Sequence, residues 1–198
     1  MKELTLKQAA EDCRGTLTPE QAEGMITGVQ IDSRRVKPGD LFVAIKGEKS
    51  DGHDFIGMAG SLGASGALVQ RPVKAAIPTI LVPDTIKAYG DLAAARRERM
   101  GVNVIGITGS VGKTTTKEMT ACMLERTYRT ARTEGNHNNN IGLPMTILDM
   151  PDDTETAVLE LGMNHFGEMA RLTSIAKPDI AVITNIGTMH IEHLGSRE

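Results

Sequence analysis

The 198-residue sequence contains no tryptophan, and aromatic residues make up only 3% of it. Its cores must therefore rest on Ile, Leu, Val, Met and Ala. It has two cysteines, Cys13 and Cys122, far apart along the chain. Two isolated thiols give neither a disulfide framework nor a zinc-ligand spacing, so both read as buried or inert side chains. No apolar run approaches the ~18 residues of a membrane span. The start, Met1-Lys2-Glu3-Leu4, has no apolar stretch of signal-peptide length. A soluble cytoplasmic protein is expected. A large excess of one charge is missing too: the net charge is -3, which argues against a nucleic-acid binder with a basic stripe. What is present is an average globular composition, 40% apolar and 24% charged. The length suits one large domain or two smaller ones.

The chain turns on Val104-Ile105-Gly106-Ile107-Thr108-Gly109-Ser110-Val111-Gly112-Lys113-Thr114-Thr115-Thr116. An apolar, β-branched run enters a glycine-rich turn and leaves it in a segment of helical periodicity. A phosphate-binding loop needs this strand–loop–helix order. Small residues let backbone N–H groups converge on an anion, and the helix N-terminus adds partial positive charge. The common pattern has a glycine where Ile107 stands, so the form here is the tighter Gly109-x-x-Gly112-Lys113-Thr114. Lys113 would reach the outer phosphates, and the Thr114 hydroxyl would ligate magnesium. Binding of a nucleoside triphosphate is thus read at Gly109, Ser110, Val111, Gly112, Lys113, Thr114 and Thr115, the alternative being an ordinary glycine-rich strand-to-helix turn.

Periodicity predicts helices over 4–12, 54–63, 85–100 (capped by Asp84), 113–128, 142–148 and 166–175. It predicts strands over 28–32, 41–45, 67–69, 79–82, 102–107, 129–133, 156–161 and 180–184. The fold class is α/β, with a boundary at Gly101-Val102-Asn103 separating domains 1–101 and 102–198. The first domain is small and mixed. The second alternates strand and helix regularly, which implies a parallel sheet of phosphate-loop type. Ligands gather beyond the carboxyl ends of such strands.

Glu160 closes the apolar strand Val158-Leu159-Glu160-Leu161. A carboxylate there is costly unless it meets a cation or a donor, so Glu160 reads as a magnesium ligand with Thr114, or as an exposed strand end. His190, Glu192 and His193 follow the last strand at a spacing that fits no standard zinc pattern, leaving His190 as metal ligand or structural residue. Gly135-Asn136-His137-Asn138-Asn139-Asn140 is too polar for a core. In the first domain, Asp32-Ser33-Arg34-Arg35 closes a strand and Asp51-Gly52-His53-Asp54-Phe55 opens a helix. These segments are either a second phosphate site, with Phe55 packed on a base, or solvated turns.

Taken together and in order, these stretches resemble the Mur ligase family of peptidoglycan synthesis. The likeness rests on Thr108–Thr115, Gly135-Asn136-His137-Asn138-Asn139-Asn140-Ile141-Gly142-Leu143-Pro144, Glu160–Met169, Ile183–Ser196, Asp32–Ala44 and Asp51–Phe55, and covers the whole chain. Val111 stands where the family often has asparagine, a change that a loop acting through its backbone tolerates. The asparagine-rich segment resembles the branch that adds D-alanyl-D-alanine.

The resemblance implies a first domain that holds the UDP end of UDP-N-acetylmuramoyl-tripeptide through Ser33, Arg34, Gly52, His53 and Phe55. It implies a central domain that binds ATP and Mg2+, with catalytic roles for Lys113, Glu160 and His190 and metal ligation by Thr114, Glu160 and His190. Asn136, Asn139 and Asn140 would lie near the γ-phosphate and the acceptor carboxylate. The implied reaction is ATP-dependent joining of D-alanyl-D-alanine to the tripeptide carboxylate through an acyl phosphate, by a monomer without nucleic-acid partners or membrane insertion. The family also has a third domain and, beyond the His190 position, a carbamylated lysine. Neither lies within the 198 residues, so the central domain reads as truncated and its sheet as incomplete, with an exposed edge. The chain alone is expected to be inactive. The alternatives are a non-catalytic UDP-sugar-peptide or nucleotide binder, and another acid–amine ligase of the superfamily.

Overall fold

The computed structural model describes residues 4–20, 22–188 and 191. The chain divides into two compact units, Met1–Leu92 and Ala93–Glu198.

The first unit opens with strand β1 (Leu4–Thr5) and helix α1 (Leu6–Asp12). The turn between them is fixed by a capping box: the Thr5 hydroxyl accepts from the Gln8 amide at 3.1 Å, and the Gln8 side chain accepts from the Thr5 amide at 3.0 Å. Strands β2 (Thr16–Thr18), β3 (Met25–Ile26) and β4 (Gly28–Gln30) follow, then β5 (Asp40–Val43), α2 (Ile56–Ser61), β6 (Gly66–Val69) and β7 (Thr79–Leu81). Two 3-10 turns, Ser33–Arg35 and Gly52–Phe55, lead out of β4 and into α2. The main sheet has the order β2-β7-β6-β5-β4. Strands β4 to β7 are parallel, and β2 closes the edge antiparallel to β7. A separate antiparallel ribbon joins β1 to β3. Phe42, Ala44, Ile56, Ala59, Ala67 and Val69 form one core cluster between sheet and helix.

Helix α3 (Thr85–Met100) crosses the division between the units. Asp84 caps its start as expected, its carboxylate accepting from the Lys87 amide at 2.9 Å. The second unit includes the end of this helix from Ala93 on, and Arg96 and Arg97 are bonded within that unit. Arg96 Nε donates to Ile147 O at 3.2 Å, and its Nη2 donates to Met150 O. Arg97 donates to Ala176 O and Lys177 O at 3.0 and 2.8 Å.

The second unit alternates as the periodicity predicts: β8 (Asn103–Thr108), α4 (Lys113–Leu124), β9 (Thr130–Arg132), α5 (Gly142–Asp149), β10 (Thr156–Glu160), α6 (Glu168–Ala176) and β11 (Ile180–Ile183). Its sheet is parallel throughout, in the order β11-β8-β10-β9. Every residue of β10 is buried, and full burial of a Val or Leu contributes about 2 kcal/mol. Ile107, Ala121 and Val158 join α4 to the sheet. Among the described residues no helix is long and apolar enough to cross a membrane. Both cysteines are free, but only Cys13 is buried; Cys122 lies exposed on α4. Burial pushes the Cys13 thiol up to about 11.

Candidate functional site

Beyond the carboxyl end of β8 the chain turns sharply through Gly109, whose φ of +133° is a backbone state that side chains rarely adopt. A Cβ there would run into Thr184 Oγ1. The loop then enters α4, whose first turn has no side-chain cap. Its outward-pointing amides, which a helix cannot satisfy internally, are suited to an anion. Lys113 folds back over the loop, its Nζ donating to Gly109 O at 2.7 Å.

The segment following β11 clasps this loop from the other side. Ser110 N donates to Asn185 O at 3.1 Å, and Val111 N donates to Asn185 Oδ1 at 3.0 Å. Gly187 N donates to Ser110 Oγ at 2.8 Å, and Thr184 Oγ1 donates to Val111 O at 2.6 Å. The glycine-rich loop is thus shaped by two neighbouring strand ends, β8 and β11.

The next strand end supplies Glu160, only 3% exposed. Its Oε2 accepts from Thr114 Oγ1 at 2.9 Å, and its Oε1 accepts from Asn138 Nδ2 at 2.8 Å. The structure thus brings Glu160 and Thr114 together through a hydrogen bond. The donor set is hard oxygen, buried on one side and next to the loop, which fits a magnesium ion completed by phosphate oxygens and water. Among the described residues no three His, Cys, Asp or Glu side chains converge on a metal site. His190 lies outside the described residues.

The asparagine run serves mixed purposes. Asn139 Oδ1 accepts from the amides of Ile141 and Gly142 at 3.1 and 2.9 Å, so this side chain opens α5. Asn136 is exposed. Asn140 Oδ1 is buried and accepts no hydrogen bond among the described residues. Asn138 is locked in place from its own backbone: Gly162 N donates to Asn138 O at 2.8 Å. A Cβ on Gly162 would sit 2.8 Å from Asn138 Cγ.

In the first unit, both 3-10 turns and Gln70 lie beyond the carboxyl ends of β4, β5 and β6, and α2 packs on both turns. Ser33 is buried. Arg34 is exposed and forms a two-pronged pair with Asp32, at 2.9 and 2.7 Å. That contact holds the Asp32 carboxyl down at about 2. His53 is buried, and both ring nitrogens are engaged: Gln70 N donates to Nε2 at 3.0 Å, and Nδ1 meets Asp51 Oδ1 at 2.6 Å. A backbone N–H can only donate, so the ring proton sits on Nδ1. His53 braces the turn, whereas Phe55, 38% exposed, presents a free ring face. Gly52 N donates to Ile45 O at 2.9 Å and anchors the same turn.

Comparison with known proteins bears directly on this arrangement. Residues 107–198 match the model of the Mur ligase middle domain, and residues 25–103 match that of the Mur ligase family, catalytic domain. The chain belongs to the Mur ligase family. It is 47% identical to the UDP-N-acetylmuramoyl-tripeptide–D-alanyl-D-alanine ligase of Bacillus subtilis, with all of this chain and 44% of that protein covered. It is 42% identical to the Escherichia coli enzyme of that name over 99% of this chain and 43% of the relative. The crystal structure of MurF from Acinetobacter baumannii superposes with a TM-score of 0.93 at 40% identity, covering 100% of this chain and 44% of that one. The MurF ligase from Thermotoga maritima, solved in complex with ADP, gives 0.81 at 38% identity, covering 86% of this chain and 40% of that one. The chain therefore spans less than half the length of these relatives.

Several residues of this Mur ligase site escape a reading of the sequence. Asn138, not its neighbours, bonds Glu160, and position in an asparagine run does not reveal which side chain turns inward. Thr184, Asn185 and Gly187 lie in a stretch that carries the family likeness, but their contact with the loop, from 73 to 77 residues away, does not show in the sequence. Lys117 looks like an ordinary helix-surface lysine but is buried. Only its place one turn after Thr114 hints otherwise.

Proposed function

We propose that this chain is the substrate- and ATP-binding portion of a ligase that joins D-alanyl-D-alanine to UDP-N-acetylmuramoyl-tripeptide, in the cytoplasm and as a monomer. The observation that carries the reading is the Glu160–Thr114 pair set against the uncapped start of α4. A carboxylate is a poor acyl donor, so ATP is used to convert it to an acyl phosphate, which the amine of the dipeptide attacks with loss of phosphate. Loop amides and the α4 N-terminus bind the phosphates. Lys113 exchanges the Gly109 carbonyl for a phosphate oxygen and neutralises charge as it develops in transfer. Magnesium, when bound, would supply further charge neutralisation, held by Glu160 and Thr114, with His190 as a further ligand. Asn136 and Asn140 are proposed to face the transferred phosphoryl and the acceptor carboxylate. Ser33, Arg34, Gly52 and Phe55 are proposed to hold the UDP end, with His53 bracing their turn.

Titration calorimetry tests this reading. The chain is expected to bind ATP with magnesium and, separately, UDP-N-acetylmuramoyl-tripeptide, without releasing phosphate when D-alanyl-D-alanine is added. Lys113→Ala is expected to weaken ATP by about 30-fold, the loss of a charge-assisted hydrogen bond of about 2 kcal/mol. No heat with either ligand would sink the proposal, and binding of ATP without any UDP compound would favour another acid–amine ligase.

A further inference from the structure

Lys117 lies on α4 three residues after Thr114, on the same face of the helix. Its side chain is 1% exposed. A buried ammonium is costly unless fully partnered, and this one has two partners. Nζ donates to Thr133 O at 2.7 Å and pairs with Glu118 Oε1 at 2.9 Å. The Lys117 hydrogen bond, with Arg132 nearby, holds the Glu118 carboxyl below its ordinary range. An apolar side chain of similar length would fill this space without desolvating a charge, so stability alone gives no reason for a lysine.

Thr133, fully buried, shows what the ammonium secures. Its hydroxyl accepts the backbone N–H of Glu160 at 2.9 Å. The carboxylate of Glu160 in turn accepts from Thr114 on α4. The bonds therefore close a ring: Lys117 to Thr133, Thr133 to Glu160, Glu160 to Thr114, and back along one helical turn to Lys117. The ring fixes the spacing between the Thr114 hydroxyl and the Glu160 carboxylate, the two oxygens suited to a cation.

We propose that Lys117 is a positioning residue for the divalent-cation site, acting through Thr133 to set the distance between Glu160 and Thr114. The inference rests on the ATP–magnesium reading above. It requires that Lys117 matter to the cation's contribution to nucleotide binding and not to nucleotide binding as such.

The test measures ADP affinity of the 198-residue chain by calorimetry, once with magnesium and once with EDTA, for the unaltered protein, Lys117→Met and Thr133→Val. Thr133→Val removes the hydroxyl that holds Glu160 at nearly constant volume, so it carries the test if Lys117→Met fails to fold. The magnesium-dependent gain in affinity is expected to fall about 10- to 100-fold in each variant, as when a residue supporting a metal ligand is lost. Affinity in EDTA is expected to stay unchanged. Hydrogen exchange at the Glu160 amide, read without any ligand, is expected to accelerate in both. If the unaltered chain gains nothing from magnesium, the ATP-site reading fails and this proposal with it. If the unaltered chain gains and the folded variants gain equally, or if both EDTA and magnesium affinities fall together, only the role of Lys117 is overturned.

Discussion

Asp51 carries three duties in the first unit. Its carboxylate accepts the His53 amide at 3.0 Å, meets His53 Nδ1, and pairs with Arg71 at 3.3 Å. The His53 backbone bond, foremost, and the ring contact lower its titration from 3.8 to about 2. A depressed carboxyl contributes stability that is complete above its unfolded value and disappears as pH falls through the folded one. The first unit is therefore expected to hold its melting temperature down to about pH 4 and to lose stability between about pH 4 and pH 2. Asp51→Asn should melt lower at pH 7 and show a flatter acid limb, measured by circular dichroism. An equally steep limb in that variant would assign the acid loss elsewhere, with Asp32, also lowered to about 2, the next group to replace.

At the scale of elements, α3 works as two half-helices. Its second half ends in arginines that reach the carbonyls closing α5 and α6, and cations suit helix C-termini. Arg96 is nearly buried and also pairs with Asp152 at 3.1 Å. Truncation would take this donor from two backbone acceptors, Ile147 O and Met150 O. Arg96→Ala is expected to destabilise the second unit by about 3 kcal/mol, seen as a lower denaturation midpoint of its transition. A loss within about 0.5 kcal/mol would mean that water replaces the guanidinium at little cost. Within this element the second unit begins at Ala93, whereas the helix runs on to Met100. Gly101 ends the helix in sequence terms, but a helix end and a packing boundary are different things. Periodicity marks the first, and only long-range partners mark the second.

For the whole molecule, the parallel second unit was the most legible part, because strands of a parallel sheet read as nearly continuous apolar runs, as β8, β10 and β11 do. Strands β2 and β3, two or three residues long and flanked by polar side chains, leave no periodic trace. Their partners lie far along the chain, and these partners define them. The strand–loop–helix turn at Gly109–Lys113 was legible because its pattern is local, whereas the clasp at Asn185 and the ring through Thr133 are contacts across strand ends. Among the described residues β11 pairs only with β8, and Ile180 and Ile183 are 58% and 61% exposed. An apolar edge strand invites pairing with another chain. Concentrated solutions of the 198-residue chain are expected to self-associate, and Ile183→Lys should suppress this in sedimentation velocity. Equal association of the variant would place the contact elsewhere.

The close approach of Gly162 to Asn138 has a consequence in descent. A lineage that acquires a side chain at 162 must also shorten or displace the one at 138, and that change releases one oxygen of Glu160. A side chain at 162 is expected to survive only with a change at 138, although 24 positions separate them and neither is charged.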